Sequence, residues 1–351
     1  MLTRRQCLTR LVPVLLALCA GLVAPADEPL HVVTTTTDLA AITRAVGGDQ
    51  VEVTSIATGH EDPHFIAAKP SYMVAASKAD LWIRIGLELE IGYEGLIIDG
   101  SRNSRIRIGT SGHLDASEGV LRLEVPTQRI HRSMGDIHPL GNPHYWLDPL
   151  NGRIVAASIG KRLAQLAPQH ASYFEERVNA FQQQLDQRMF GDELVSRLGG
   201  AALWAALLKG RLDELLSQPD VPPLGGWLAT MRPYAGRKMI TYHRSWSYFA
   251  HRFDLVVANE LEPKPGIPPS PGHVAEVIKQ VKAANVRLLL MEPFYSRKAP
   301  DLVADQTGVT VVVCANSVGG QPGTDDYLAM LDNVVQRVSA ALRSAKLQLR
   351  P

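Results

Sequence analysis

The chain has little cysteine, almost no net charge and, beyond its first 26 residues, no long apolar run. Three Cys in 351 residues cannot build the dense disulfide framework that holds small secreted domains. Lys+Arg number 36 against 35 Asp+Glu, a formal charge of +1, without the basic stripe or high pI of a nucleic-acid binder. Past the N-terminal segment no apolar stretch reaches the roughly 18 residues of a membrane span. Low-complexity tracts, short-period repeats and the His-Glu-x-x-His helix of metalloproteases are also missing. What is present is 46% hydrophobic and 20% charged, enough for a sizeable core, and the length suits about two domains.

The first 26 residues read as an export signal. Arg4, Arg5 and Arg10 precede an apolar run from Leu11 to Val23, and Ala24-Pro25-Ala26 offers a small-x-small cleavage site. Thr3-Arg4-Arg5-Gln6-Cys7-Leu8 loosely resembles a twin-arginine signal with Cys7 where an aromatic is usual, so both export routes stay open. Removing residues 1–26 takes away three Arg, no acid and two Cys, which shifts the charge to +1 − 3 = −2 and leaves one Cys and all 11 His. The mature chain therefore has no internal disulfide and is held by its core.

After the signal, strands and helices alternate, the pattern of a parallel α/β sheet. His31–Thr37 is a β-branched run, Asp38 is a candidate N-cap, and the helix that follows ends at Gly47-Gly48. Further strands are expected at 51–56 and 81–85, with a helix over 70–78. Asp148 and Pro149 suit the cap and first turn of a helix, closing a lobe over residues 27–149. From Leu150 onward Ile154, Ile159, Leu163, Leu166, Tyr173, Val178, Phe181 and Leu185 recur at helical spacing. Residues 150–235 thus read as a helical connector. The alternation returns over residues 236–351, with strands at 238–242, 254–258, 286–291 and 309–314 and helices starting near His243, Ser270, Lys298 and Thr324. The fold class is α/β, in two lobes, each with a mainly parallel sheet flanked by helices.

His64 and His144 share a context, Asp62-Pro63-His64-Phe65 and Asn142-Pro143-His144-Tyr145. Proline fixes φ and removes a donor, so each imidazole sits on a stiffened loop with little to lose on ordering. That suits a metal ligand; two surface turns containing His are the plain alternative. His243 follows the strand 238–242 and lies at its carboxyl end, where open α/β sheets bind ligands; packing on Trp246 is the other reading. His60 and His138 are either auxiliary ligands, groups that support the ligands, or exposed turn residues. Neutral imidazoles arriving from both lobes place a site in the cleft between them and suit Zn2+ better than Ca2+ or Mg2+.

Gly59-His60-Glu61-Asp62-Pro63-His64-Phe65, Gly141-Asn142-Pro143-His144-Tyr145-Trp146-Leu147-Asp148-Pro149, Thr241-Tyr242-His243-Arg244-Ser245-Trp246-Ser247-Tyr248-Phe249 and Glu262-Pro263-Lys264-Pro265-Gly266-Ile267 occur in that order. Together they resemble the successive motifs of the metal-binding solute receptors of zinc and manganese ABC importers, over nearly the whole mature chain. The resemblance implies two lobes joined by a long backbone helix, a metal buried between them, and delivery to a membrane permease. It carries His64, His144 and His243 over as ligands. The family's fourth ligand is commonly an Asp in the loop after the last strand; here Cys314-Ala315-Asn316-Ser317-Val318 fills that loop and Asn316 takes the position. An amide brings no charge, so three imidazoles and Asn316 leave the dication uncompensated. Asn316, Glu292 in Met291-Glu292-Pro293, and a water are the alternatives there. Glu292 also reads as a structural carboxylate at a sheet edge, and Asn316 as a turn residue before Gly319-Gly320.

The expected function is a monomeric, periplasmic, high-affinity zinc receptor for an ABC importer permease, not an enzyme. Manganese is the second choice, because three imidazoles without an assured carboxylate favour the softer ion. The competing reading is a zinc-dependent hydrolase using an open fourth position, with Glu292 the one nameable base. A surface adhesin on the same fold is a third.

Overall fold

The computed structural model describes residues 28–127, 138–262, 264 and 266–347. The expected signal, residues 1–26, lies outside them. Two four-stranded sheets organise the chain. The first contains β1 (Leu30–Thr34), β2 (Val51–Ser55), β3 (Leu81–Arg84) and β4 (His113–Asp115), in the order β2-β1-β3-β4. The second contains β5 (Lys238–Thr241), β6 (Val256–Glu260), β7 (Leu288–Met291) and β8 (Thr310–Val313), in the order β6-β5-β7-β8. Every pairing is parallel, with Val33 of β1 opposite Thr54 on one side and Trp82 on the other. Each sheet reverses its order of winding beside its first strand, the place where such sheets leave a crevice at their carboxyl ends.

Burial explains the strand compositions. β7, Leu288-Leu289-Leu290-Met291, is buried at every position, as a strand covered on both faces must be. β2 lies at an edge and alternates half-buried with exposed residues. The helix over Thr37–Gly47 is capped by Thr36, whose hydroxyl accepts from Leu39 N–H at 3.4 Å, and not by the expected Asp38. Thr36 has the extended backbone that a cap requires, whereas Asp38 is already helical, fully buried, and accepts from Val318 N–H at 3.0 Å.

Between β4 and β5 the described residues form helices and loops, with no strand. Asp148 accepts from Leu150 N–H at 2.9 Å and Pro149 fills the first turn of the helix Pro149–Leu166. Pro168 interrupts it, and the 20-residue helix Ala171–Phe190 packs back against it. Gly160 permits that approach: a Cβ there would stand 2.3 Å from Val178 Cγ2. Shorter helices at 192–198, 200–208, 212–216 and 226–231 lead to β5. In the second lobe a 3₁₀ turn and the helix Ser247–Arg252 follow β5, and helices at 271–284, 298–307 and 327–347 complete the lobe. No helix among the described residues is long and apolar enough to cross a membrane.

The largest apolar cluster runs through both lobes, beside a smaller one in each. It joins Ile83 and Tyr145 of the first lobe to Ile159, Phe174 and Leu185 of the connecting helices and to Trp246, Leu290 and Tyr327 of the second lobe. Buried polar bonds reinforce the junction. Arg252 donates twice to Asp148 at 2.7 Å, Trp146 Nε1 donates to Asn316 O at 2.7 Å, and Tyr327 Oη donates to Trp146 O at 2.6 Å. A bidentate pair of this kind holds because every donor has its acceptor. The lobes are therefore fixed to one another on the helical side, and the loops at the strand ends face each other across the remaining side.

Candidate metal centre

The two Pro-His turns use one device. Asp62 Oδ1 accepts from the His64 backbone N–H at 3.0 Å and from His64 Nδ1 at 2.7 Å. Asn142 Oδ1 accepts from the His144 N–H at 2.9 Å and from His144 Nδ1 at 2.9 Å. The residue two before each His thus closes the turn and also orients the ring. An acceptor at Nδ1 assigns the proton there and leaves Nε2 with a lone pair for a metal. His243, two residues past the end of β5, reaches the same state through Glu262, whose Oε2 bonds its Nδ1 while Oε1 accepts from Gly266 N–H at 2.9 Å.

These three imidazoles converge. One ring nitrogen from each of His64, His144 and His243 lies within 4.8 Å of the others, with centroid separations of 5.1, 5.5 and 5.2 Å. They are 9%, 2% and 4% exposed. His64 comes from the loop after β2 and His144 from the segment after β4, both in the first lobe, while His243 follows β5 of the second, so both lobes contribute. Zn–N bonds of about 2.0–2.1 Å would draw tetrahedral donors to about 3.3–3.4 Å apart, a contraction within reach of three side chains on facing loops.

The electrostatics suit a cation. Burial first, then the neighbouring His64, His243 and His138, push the His144 pKa well below 6.5 and keep that ring neutral. Burial alone would raise Asp62, but its hydrogen bonds and attraction to His64, with His243 beyond, prevail and bring it to about 2. Asp62 is therefore an anion one hydrogen bond behind the candidate ligand His64, and Glu262 occupies the same place behind His243. Asp62 also ties the lobes together, because Tyr295 Oη donates to its Oδ2 at 2.9 Å while the Tyr295 ring stacks on Tyr242 at 4.3 Å.

The remaining candidates are placed differently. Glu292 is fully buried, its carboxyl pushed up to about 8 by desolvation, and it lies outside the close group of ligand atoms. Asn316 is 1% exposed, with its Oδ1 lacking a hydrogen-bond partner among the described residues. His60 is exposed, and His138 stands with Nε2 3.2 Å from His64 Nε2. The orienting roles of Asp62, Asn142 and Glu262 were missed in the sequence, although all three lie inside the motifs that singled out the histidines.

Comparison with known proteins matches the chain to a family. The family model described as Zinc-uptake complex component A periplasmic, ZnuA, matches residues 32–189 and 227–341. The chain is 30% identical over 337 residues to the metal ABC transporter substrate-binding lipoprotein FimA of Streptococcus parasanguinis, covering 93% of this chain and 94% of that protein. It is 23% identical over 325 residues to the manganese ABC transporter substrate-binding lipoprotein PsaA of Streptococcus pneumoniae, covering 90% of each. A crystal structure of ZnuA shares the fold, with a TM-score of 0.67 at 23% identity over 90% of this chain and 99% of that one. The zinc-hydrolase alternative finds no support in these matches, which are to receptors and not to enzymes. The chain belongs to the ZnuA family, the metal-binding substrate receptors of ABC importers.

Proposed function

We propose that the mature chain is an exported, monomeric receptor that captures Zn2+ between its lobes on His64, His144 and His243 and hands it to the permease of an ABC importer. The observation that carries this reading is the convergence of three buried imidazoles, each with Nδ1 already bonded to an acceptor and Nε2 left for the ion. Zinc is favoured over manganese because the donors that converge are nitrogens, while manganese prefers oxygen. Asp62 and Glu262 balance the dication without giving a harder ion its oxygen ligands. The segment 1–26 supplies export.

Metal analysis of the protein isolated after export, followed by competition titration with Zn2+ and Mn2+ against a chelator, tests this. The expected result is one zinc per chain, bound at least about 100-fold more tightly than manganese, a margin of about 2.7 kcal/mol. Tighter manganese binding, or no bound metal, refutes it.

A further inference from the structure

The two Pro-His turns differ in the residue that orients the ring, Asp62 in one and Asn142 in the other. Either residue closes such a turn, since each offers one oxygen to the histidine N–H and to Nδ1. The difference lies at the other end of the side chain, and in both turns that end meets the second lobe. Asp62 Oδ2 accepts from Tyr295 Oη at 2.9 Å. Asn142 Nδ2 donates to Arg244 O at 2.9 Å, and to Glu124 Oε2 of its own lobe at 3.0 Å. A hydroxyl can donate to a carboxylate, whereas a carbonyl and a carboxylate only accept. Asparagine at 142 and aspartate at 62 are thus the residues that the facing groups require.

The consequence reaches the rings. Both partners of Asn142 Nδ2 are acceptors, so the amide cannot reverse without losing its bonds, and Oδ1 stays aimed at His144 Nδ1. The carbonyl that fixes it belongs to Arg244, the neighbour of His243. Tyr248 Oη adds to the grip by donating to Asn142 O at 2.8 Å. Asn142 is 5% exposed, so water does not readily replace a partner lost there.

We propose that Asn142 and Tyr295 are positioning residues through which the second lobe holds the first lobe's histidines in their ligand state, so that parting the lobes frees both rings and releases the ion. This rests on the three-histidine reading above. Asn142→Asp separates this account from simple electrostatics. A new negative charge behind His144 alone would strengthen the hold on a cation; here it also sets a carboxylate against Arg244 O and Glu124 and breaks the tie between the lobes.

A stopped-flow chelator chase of the zinc-loaded mature protein reads the outcome. Asn142→Asp should release zinc at least about fivefold faster than wild type, as the loss of a buried hydrogen bond implies. Adding Glu124→Gln, whose amide can donate to the new carboxylate, should recover part of that loss, while Glu124→Gln alone should stay within about twofold of wild type. In 15N spectra of the apo-protein's histidines, His144 should carry its proton on Nδ1 in wild type and in Asn142→Asp, and shift it toward Nε2 in Asn142→Leu, with His243 unchanged. Release from Asn142→Asp as slow as from wild type, no recovery with Glu124→Gln, or an unmoved His144 proton in Asn142→Leu overturns the proposal and leaves the three-histidine receptor standing. Zinc bound by the wild type at other residues overturns both.

Discussion

Glu262→Gln is an informative single substitution because it keeps the shape of the side chain and changes what its two ends can do. The carboxylate, 8% exposed, accepts at both: from His243 Nδ1 on one oxygen and from Gly266 N–H at 2.9 Å on the other. Glutamine has one acceptor and one donor. With its carbonyl toward His243, the amide NH2 meets Gly266 N–H, donor against donor. With the carbonyl toward Gly266, the NH2 faces Nδ1, forces the proton onto Nε2 and blocks the ligand atom. Both arrangements lose a hydrogen bond, and both lose a negative charge from behind the ligand. Removing such a partner typically costs 10–100-fold in metal affinity, about 1.4–2.7 kcal/mol. Chelator competition at neutral pH should therefore show the zinc Kd rising by about 10–100-fold. Added salt should not mimic the effect, because a buried group is weakly screened. A Kd within about twofold of wild type would show that Glu262 neither sets the His243 tautomer nor balances the ion.

Three further outcomes follow from other contacts. Tyr295→Phe removes the bond to Asp62 but keeps the stack on Tyr242; a hydrogen bond worth about 0.5–1.5 kcal/mol should appear as a severalfold faster zinc release in a stopped-flow chelator chase. Arg252→Ala strands Asp148 in the core without its partner, and urea unfolding should show a loss of about 3–5 kcal/mol. Asp38 is raised by burial from 3.8 to about 7, so between those values the folded chain holds a proton that the unfolded chain releases, and its contribution makes stability fall as pH rises through that window. Asp38→Asn should flatten this decline in urea titrations across the window, while His144, depressed below 6.5, contributes the opposite trend of stability lost as pH falls below 6.5.

The alternation of strand and helix was legible because it rests on local composition. β-branched and apolar runs such as Val51–Ser55 and Leu288–Met291 announce their strands, and Asp148-Pro149 announces a helix start. β4, only His113-Leu114-Asp115, did not show: three residues in a polar setting carry no periodicity, and pairing with β3 alone makes them a strand. The helix Glu94–Ser101 contains Gly95 and Gly100, which weaken its propensity signal. At the Thr36–Asp38 step two capping residues competed, and a contact with Val318, some 280 positions away, decided between them. The candidate metal centre divides along the same line. Its three histidines stand in recognisable local motifs, and Asp62 and Asn142 sit two residues from the rings they orient. Glu262 is 19 positions from His243, and the approach of His138 to His64 spans 74 positions; only the folded chain brings these pairs together.

The central claim is that His64, His144 and His243 form one zinc site. Equilibrium zinc titration of the mature protein against a competing chelator, compared with His64→Ala, His144→Ala and His243→Ala, tests it most directly. The account predicts one tight site in the wild type and a loss of at least about 100-fold, roughly 2.7 kcal/mol, in each variant, with the apo-proteins still folded. Three variants that all bind zinc within about threefold of wild type would contradict it.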